Sequence, residues 1–220
     1  MGIARRIGIA LTATGMALGL AAPASALSTT ETDEFLGKLK TTYTDPATTN
    51  DGDPYDFDIV TKAAIVTGAT GDLATLSSFT LFAPNDRAFE VLARDLGLLG
   101  KNYRFGASVD ETRVFTVIAD AAAKGAVDLK DVLLYHVVPG AKLTGKDVLA
   151  GPFTQRVTMA NEDKLGVTVL SRSPRFPVIL LGDRDGKPFS DFVVRSRIDA
   201  IQTQNTVVHG ISDVLLPPAN

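Results

Sequence analysis

The chain has no cysteine among its 220 residues. No disulfide can therefore form, and the fold must be stabilised by a hydrophobic core alone. A lipoprotein anchor is also excluded, because no cysteine follows the apolar N-terminal run. The length is sufficient for such a core, since a domain of roughly 150 to 200 residues buries about 70% of its unfolded surface.

Histidine is scarce, which limits the possible chemistry. Only His136 and His209 are present, and neither has a second histidine at metal-binding spacing. No G-x-S-x-G elbow occurs, and Ser171 and Ser173 have no local base to activate them. The turn at Asp183–Asp185 lacks the closing glutamate of a calcium loop and is interpreted as a hairpin tip. The sequence predicts no enzyme, no metal and no cofactor, and a hydrolase is the least favoured alternative.

An excess of basic residues is absent as well. The chain has 22 Lys and Arg against 25 Asp and Glu, a formal net charge of −3. Nucleic-acid-binding proteins usually present a basic face, so this balance argues against DNA or RNA as a partner.

A long apolar run is found only near the start of the chain. Arg5 and Arg6 precede a mostly apolar stretch over 7–20, which is short for a membrane span, and Ala24-Ser25-Ala26 is typical of a cleavage site. We expect a signal peptide over 1–26 and an exported bacterial protein without stable membrane insertion. It would be secreted, or periplasmic in a Gram-negative cell. A retained N-terminal anchor is the alternative.

Residue patterns divide the exported chain into a linker and one domain. The segment 27–54 is polar and predicts a linker with a short helix of one or two turns, marked by Phe35, Leu36 and Leu39. The domain spans 55–218, and its first half shows helical periodicity, at 57–67, 72–76, from Asn85 or Asp86 onward, 111–124 and 128–136. Strand-like patterns follow at 153–159, 166–170, 177–181, 191–195 and 200–203, after one earlier strand at 79–82. Helices before strands favour an α+β fold.

Three motifs then stand in a fixed order: TLFAPNDRAF at 80–89, YHVVPG at 135–140 and NTVVHGISDVLLP at 205–217. They resemble the two end motifs and the central Tyr-His motif of the fasciclin domain. The resemblance covers nearly all of 57–217. It implies a fasciclin-like fold, with a helical layer from the N-terminal half packed on a β-sheet wedge from the C-terminal half.

The chain departs from the family pattern in several places. Asn85 replaces a threonine, and Thr206 replaces a glycine and would be strained if that position required a positive φ. Additional residues near 97–128 and 176–192 are candidates for this protein's own specificity.

The resemblance also implies a function, since fasciclin domains belong to secreted and cell-surface proteins that adhere and bind. We expect a non-catalytic module that engages an extracellular protein, a glycan or a cell surface, with Asp86, Tyr135 and His136 as candidate contacts. The other motif residues are expected to be mainly structural: Thr80, Phe82, Ala83, Pro84, Asn85, Ala88, Phe89, Asn205, Val207, Val208, His209, Leu215 and Pro217.

Two of the candidate contacts have structural alternatives. Helical spacing places His136 beside Val132 and Leu133 on the inward face, so it is either a hydrogen-bonded core histidine or a partner contact. Asp86 is either a helix cap or an adhesive contact.

A small-molecule carrier remains a second functional hypothesis. It requires an apolar cavity of a few hundred cubic ångströms between the helices and the strands. Phe82, Phe89, Leu133 and Val208 are the expected lining.

Overall fold

A computed structural model describes residues 26–43, 51–183 and 191–218. Its helices are α1 Thr29–Tyr43, α2 Asp58–Val66, α3 Ala69–Ala74, α4 Asp86–Asp95, α5 Glu111–Ala123, α6 Leu129–Leu134 and α7 Gly145–Ala150. Its strands are β1 Phe79–Pro84, β2 Val137–Pro139, β3 Thr154–Thr158, β4 Lys164–Ser173, β5 Phe176–Gly182, β6 Ile201–Gln202 and β7 Thr206–Ile211. A 3₁₀ helix covers Arg195–Arg197. The α+β class is confirmed.

The two end motifs form one pair of strands. In the four-stranded sheet the order is β2-β1-β7-β6, and β1 runs parallel to β7. Phe79 lies opposite Thr206 at one end of the pair and Pro84 opposite Ile211 at the other. β2, which follows the Tyr-His pair, adds to the other edge of β1. All three motifs therefore meet in a single sheet.

A second sheet contains β3, β4 and β5 in antiparallel order. The segment that begins at Asp191 connects it to the first sheet, because Phe192 bridges to Leu180 of β5 and Val193 bridges to Ile211 of β7. The two sheets are thus joined through a short crossing segment.

Two hydrophobic cores lie on the two faces of β1. Phe79, Leu81 and Ala83 pack with the helices in the first core, whereas Phe82 packs with the second sheet in the other. This division follows from the alternation of side chains along a strand.

The N-terminal helix is longer than the one or two turns that the sequence predicted. α1 has 15 residues, and Phe35 and Leu39 are buried in the first core. The Lys38 ammonium donates to the carbonyl oxygen of Gln202 in β6 at 2.8 Å. None of the helices in the described residues is long and apolar enough to cross a membrane.

Several element predictions need correction. The N-cap of α2 is Phe57, which makes no side-chain capping bond, rather than Asp56 or Asp58. α6 ends at Leu134, so the Tyr-His pair follows the helix instead of lying within it. The strand predicted at 191–195 is reduced to two isolated bridges and the start of the 3₁₀ helix.

Some features were not predicted, and one prediction cannot be compared with the structure. α7 begins with a capping box between Thr144 and Asp147. This local hydrogen-bonding pattern does not depend on apolar spacing, so the spacing did not predict the helix. β2 has only three residues. Most of the Asp183–Asp185 turn falls outside the described residues.

Candidate functional site

Asp86 of the first motif is a buried helix cap. Its side chain is 0% exposed, and its Oδ1 accepts a hydrogen bond from the backbone N–H of Ile59 at 3.0 Å. Ile59 is the second residue of α2, whose own N-cap residue offers no side-chain acceptor. Asp86 therefore caps α2 from a distant part of the chain. Its neighbour Asn85 caps α4 by accepting from the N–H of Ala88 at 2.9 Å.

Tyr135 and His136 are also 0% exposed and face different parts of the interior. Tyr135 packs in the second core, and its hydroxyl donates to the carbonyl oxygen of Lys164 at 3.1 Å. His136 Nδ1–H donates to the carbonyl oxygen of Val132 at 2.7 Å, while Nε2 accepts from the N–H of Leu215 at 2.9 Å. Burial lowers the pKa of His136 to about 4, so its ring is neutral at physiological pH.

His209 is a second hydrogen-bonded core histidine with the opposite tautomer. Its Nε2–H donates to the carbonyl oxygen of Leu143 at 2.8 Å, and Nδ1 accepts from the N–H of Asp199 at 3.1 Å. Burial lowers its pKa as well. Both ring nitrogens of each histidine are thus committed to the backbone.

The structure corrects the expectation that Asp86, Tyr135 and His136 form a contact surface. Each is completely enclosed, and each satisfies a backbone group inside the domain. The thirteen motif residues expected to be mainly structural are buried, except for the half-buried Asn205 and Pro217. Thr206 begins β7 without a positive φ, so the replacement of glycine causes no strain there.

The apolar cavity next to His136 is small. It lies between α1, α2, α3, α6 and β1 and has a volume of ≈ 30 Å³. Of the four residues expected to line a carrier pocket, only Leu133 contacts it. A cavity of this size holds about two water molecules, whereas ligand pockets measure roughly 300 to 1,000 Å³. This cavity is therefore too small to be the pocket that the carrier hypothesis required.

A cluster of carboxylates lies where α2, α4 and α5 begin. Asp51, Asp56, Asp58 and Glu111 each place one oxygen within 4.8 Å of the others. Burial raises the pKa of Asp56 and of Glu111 to about 7 each, and the neighbouring negative charges add to this effect. Burial and the charge of Asp56 raise the pKa of Asp86 to about 10.

An open groove of ≈ 840 Å³ lies between α7, the β4–β5 hairpin and the 3₁₀ helix. Four exposed basic residues line it, namely Lys146, Arg172, Arg175 and Arg195. Beside it the ring of Phe176 is 55% exposed, with the guanidinium groups of Arg175 and Arg195 at 5.7 and 5.4 Å from its centroid. We call these five residues the basic groove. Phe176 lies in the region that the sequence singled out for specificity.

Comparison with known proteins gives a family match and a structural similarity. The family model of the fasciclin domain matches residues 55–217. The chain belongs to the fasciclin family. A solved structure of a FAS1 domain pair from the insect cell adhesion molecule fasciclin I is similar, with 17% sequence identity and a TM-score of 0.48. The match covers 70% of this chain and 43% of that one, so this chain spans less than half of the domain pair. No curated protein matches in sequence.

In this fasciclin domain the motifs are structural parts of the fold. The first and last motifs pair as β1 and β7, and the central motif links the last motif to α6 through His136. The open basic groove lies outside all three motifs, and it is the surface that sequence reasoning missed. Its four cations come from three separate elements, so no local pattern predicted that they would lie together.

Proposed function

We propose that this protein is a non-catalytic extracellular binding module that adheres to an acidic glycan through the basic groove. Residues 1–26 would direct its export. The observation that carries the proposal is the clustering of four exposed cations around one concave surface of a chain whose formal net charge is −3. The family membership supports an adhesive role, since fasciclin domains occur in cell adhesion molecules.

The chemistry of the groove suits carboxylated or sulfated sugars. Guanidinium groups bind carboxylate and sulfate oxygens through two parallel hydrogen bonds, and three of the four cations are arginines. Arg172 already donates to the carbonyl oxygens of Leu149 and Gly151, at 2.9 and 2.8 Å, which fixes its position at the rim. The exposed face of Phe176 offers an apolar surface against which a sugar ring can pack. An acidic glycan therefore matches both the charge and the apolar part of the groove.

The same groove offers little for catalysis. The one carboxylate in its lining is Asp199, whose Oδ1 accepts from the N–H of Gly145 at 2.7 Å. A glycoside hydrolase generally needs two carboxyl groups that flank the scissile bond. The described lining supplies one, so we infer binding without turnover.

Binding of the full exported chain to a carboxylated polysaccharide such as polygalacturonate tests the proposal. Replacing Arg175 and Arg195 together by glutamate should weaken binding roughly tenfold or more, and added salt should weaken binding by the unaltered protein. The matched control replaces Lys101 and Lys124 together by glutamate, because it reverses two exposed charges outside the groove. Phe176→Ser should weaken binding even at high salt, where the ionic contribution is screened.

Three results would overturn the proposal. An equal loss in the Lys101→Glu and Lys124→Glu control would show that only total charge matters. Equal affinity for poly-glutamate would point to an acidic protein as the partner rather than a glycan. Tighter binding to a neutral polysaccharide than to polygalacturonate would show that the cations of the groove do not determine binding.

A further inference from the structure

We propose that Asp51, Asp56, Asp58 and Glu111 bind one calcium ion. Their four ligand oxygens lie within 4.8 Å of one another. Oxygens on opposite sides of a calcium ion are separated by about twice the Ca–O distance, which is roughly 2.3 to 2.6 Å. The cluster therefore has the dimensions of a calcium coordination sphere. Water would complete the coordination on the side of Asp51, which is exposed to solvent.

The buried carboxylates provide an independent reason to expect a cation. Glu111 is 3% exposed; its Oε1 accepts from the N–H of Gly52 at 2.7 Å, but its Oε2 has no hydrogen-bond partner. Asp56 is also 3% exposed, and its Oδ1 has no partner unless the neighbouring Asp86 carboxyl is protonated and donates to it. An unpaired buried carboxylate is costly, so the cluster requires either protons or a positive ion.

Basic side chains on the surrounding helices are directed to other groups. The Lys62 ammonium of α2 lies 4.6 Å from the centre of the Phe115 ring. Arg87 of α4 pairs with Glu90. On α5, Arg113 donates to the carbonyl oxygen of Leu99 at 3.2 Å. These three basic side chains contact other groups, so the charge that neutralises the cluster must come from another cation or from protons.

The donor set favours calcium over other metals. All four ligands are carboxylate oxygens, whereas zinc prefers histidine and cysteine. The ligands come from an irregular loop and two helix starts, which suits the flexible geometry of calcium better than the strict octahedron of magnesium. Extracellular calcium sites typically have a Kd of about 10⁻⁴ to 10⁻³ M. The site is separate from the basic groove, and either proposal can fail without the other.

Calorimetric titration of the full exported chain with calcium chloride tests the site directly. We expect one ion per chain, with magnesium binding more weakly. Glu111→Gln keeps an acceptor for the N–H of Gly52 but removes one charge, and it should weaken calcium binding by about tenfold or more. The matched control is Asp120→Asn, which removes an exposed carboxylate from the same helix and should leave binding unchanged.

Thermal unfolding separates a metal ligand from a merely structural glutamate. With calcium about a hundredfold above its Kd, the Tm of the unaltered protein should rise by about 5 to 10 °C relative to EDTA. Glu111→Gln should lose this rise. In EDTA its Tm should equal or exceed that of the unaltered protein, because a buried repulsion has been relieved. A lower Tm for the variant in EDTA together with a full calcium response would contradict the proposal.

Terbium luminescence gives a second test that needs no change in the cluster. Tyr55 precedes the ligand Asp56 in the chain, which makes it the expected sensitiser of a lanthanide bound there. It is 59% exposed, so it can be replaced by phenylalanine without disturbing the core. We expect terbium emission that calcium displaces and that Tyr55→Phe abolishes.

Absence of calcium binding up to 10 mM (about ten times the weakest expected Kd) would show that protons neutralise the cluster instead. Binding that persists undiminished in Glu111→Gln would place the ion elsewhere.

Discussion

His136 Nε2 accepts a hydrogen bond from the backbone N–H of Leu215 at 2.9 Å, so the central motif holds the last motif in place. On the other side of the ring, Nδ1–H donates to the carbonyl oxygen of Val132 in α6. A single neutral imidazole thus connects two segments that are distant in sequence, and both of its nitrogens are satisfied.

His136→Ala should destabilise the domain by about 2 to 5 kcal/mol, because it creates a cavity and leaves two buried backbone groups without a partner. Chemical denaturation of the variant and the unaltered protein measures this difference. Lys124→Ala, an exposed substitution, should change the free energy of unfolding by less than about 0.5 kcal/mol. An unchanged stability for His136→Ala would contradict the structural role.

The same residue predicts a pH dependence. Burial lowers the pKa of His136 from 6.5 to about 4, so the unfolded chain binds a proton there more readily than the folded one. The stabilisation from neutral His136 is present above pH 6.5 and is lost as the pH falls toward 4, by up to about 3 kcal/mol.

Comparison with His136→Gln isolates this contribution from other titrating groups. The carboxyl cluster has raised pKa values and therefore changes stability in the opposite direction over an overlapping pH range. The difference in free energy of unfolding between the unaltered protein and His136→Gln should shrink between pH 7 and pH 4. A constant difference across this range would show that the ring keeps its ordinary pKa.

Asp86 should tolerate asparagine but not alanine. Asparagine retains an oxygen that can accept from the N–H of Ile59, whereas alanine leaves the start of α2 uncapped and should cost about 1 to 2 kcal/mol. Denaturation in EDTA compares the two variants without a contribution from bound metal. Equal stabilities of Asp86→Asn and Asp86→Ala would mean that the capping bond is unimportant.

Phe35→Ala tests whether α1 is part of the domain. Phe35 is 1% exposed, and its ring packs edge-to-face on Phe79 of β1 with centroids 5.0 Å apart. Its removal should cost about 3 to 5 kcal/mol in free energy of unfolding. A loss of less than about 1 kcal/mol in free energy of unfolding would show that α1 belongs to the linker that the sequence predicted, and not to the domain.

The family could be predicted from the sequence because its motifs are the parts that build the sheet. Residues such as Phe82 and Val208 must alternate correctly within β1 and β7, so the pattern that determines the fold is visible in the chain. α7 escaped prediction because its start depends on the Thr144–Asp147 capping box rather than on apolar spacing.

Both candidate binding surfaces depend on contacts between distant residues. Glu111 reaches the loop that contains Gly52 across a sequence separation of 59 residues, and this contact completes the carboxylate cluster. The cations of the basic groove come from α7, the β4–β5 hairpin and the 3₁₀ helix. In contrast, Asp86 and His136 belong to the motifs that the sequence shows, but both lie inside the domain.

The most direct test of the account measures Tm and polygalacturonate affinity together in two variants. We predict that His136→Ala lowers the Tm but, below that temperature, binds the polysaccharide like the unaltered protein. The double change Arg175→Glu and Arg195→Glu should keep the Tm and lose the affinity. The reverse result, with affinity lost in folded His136→Ala and retained in the groove variant, would contradict the account.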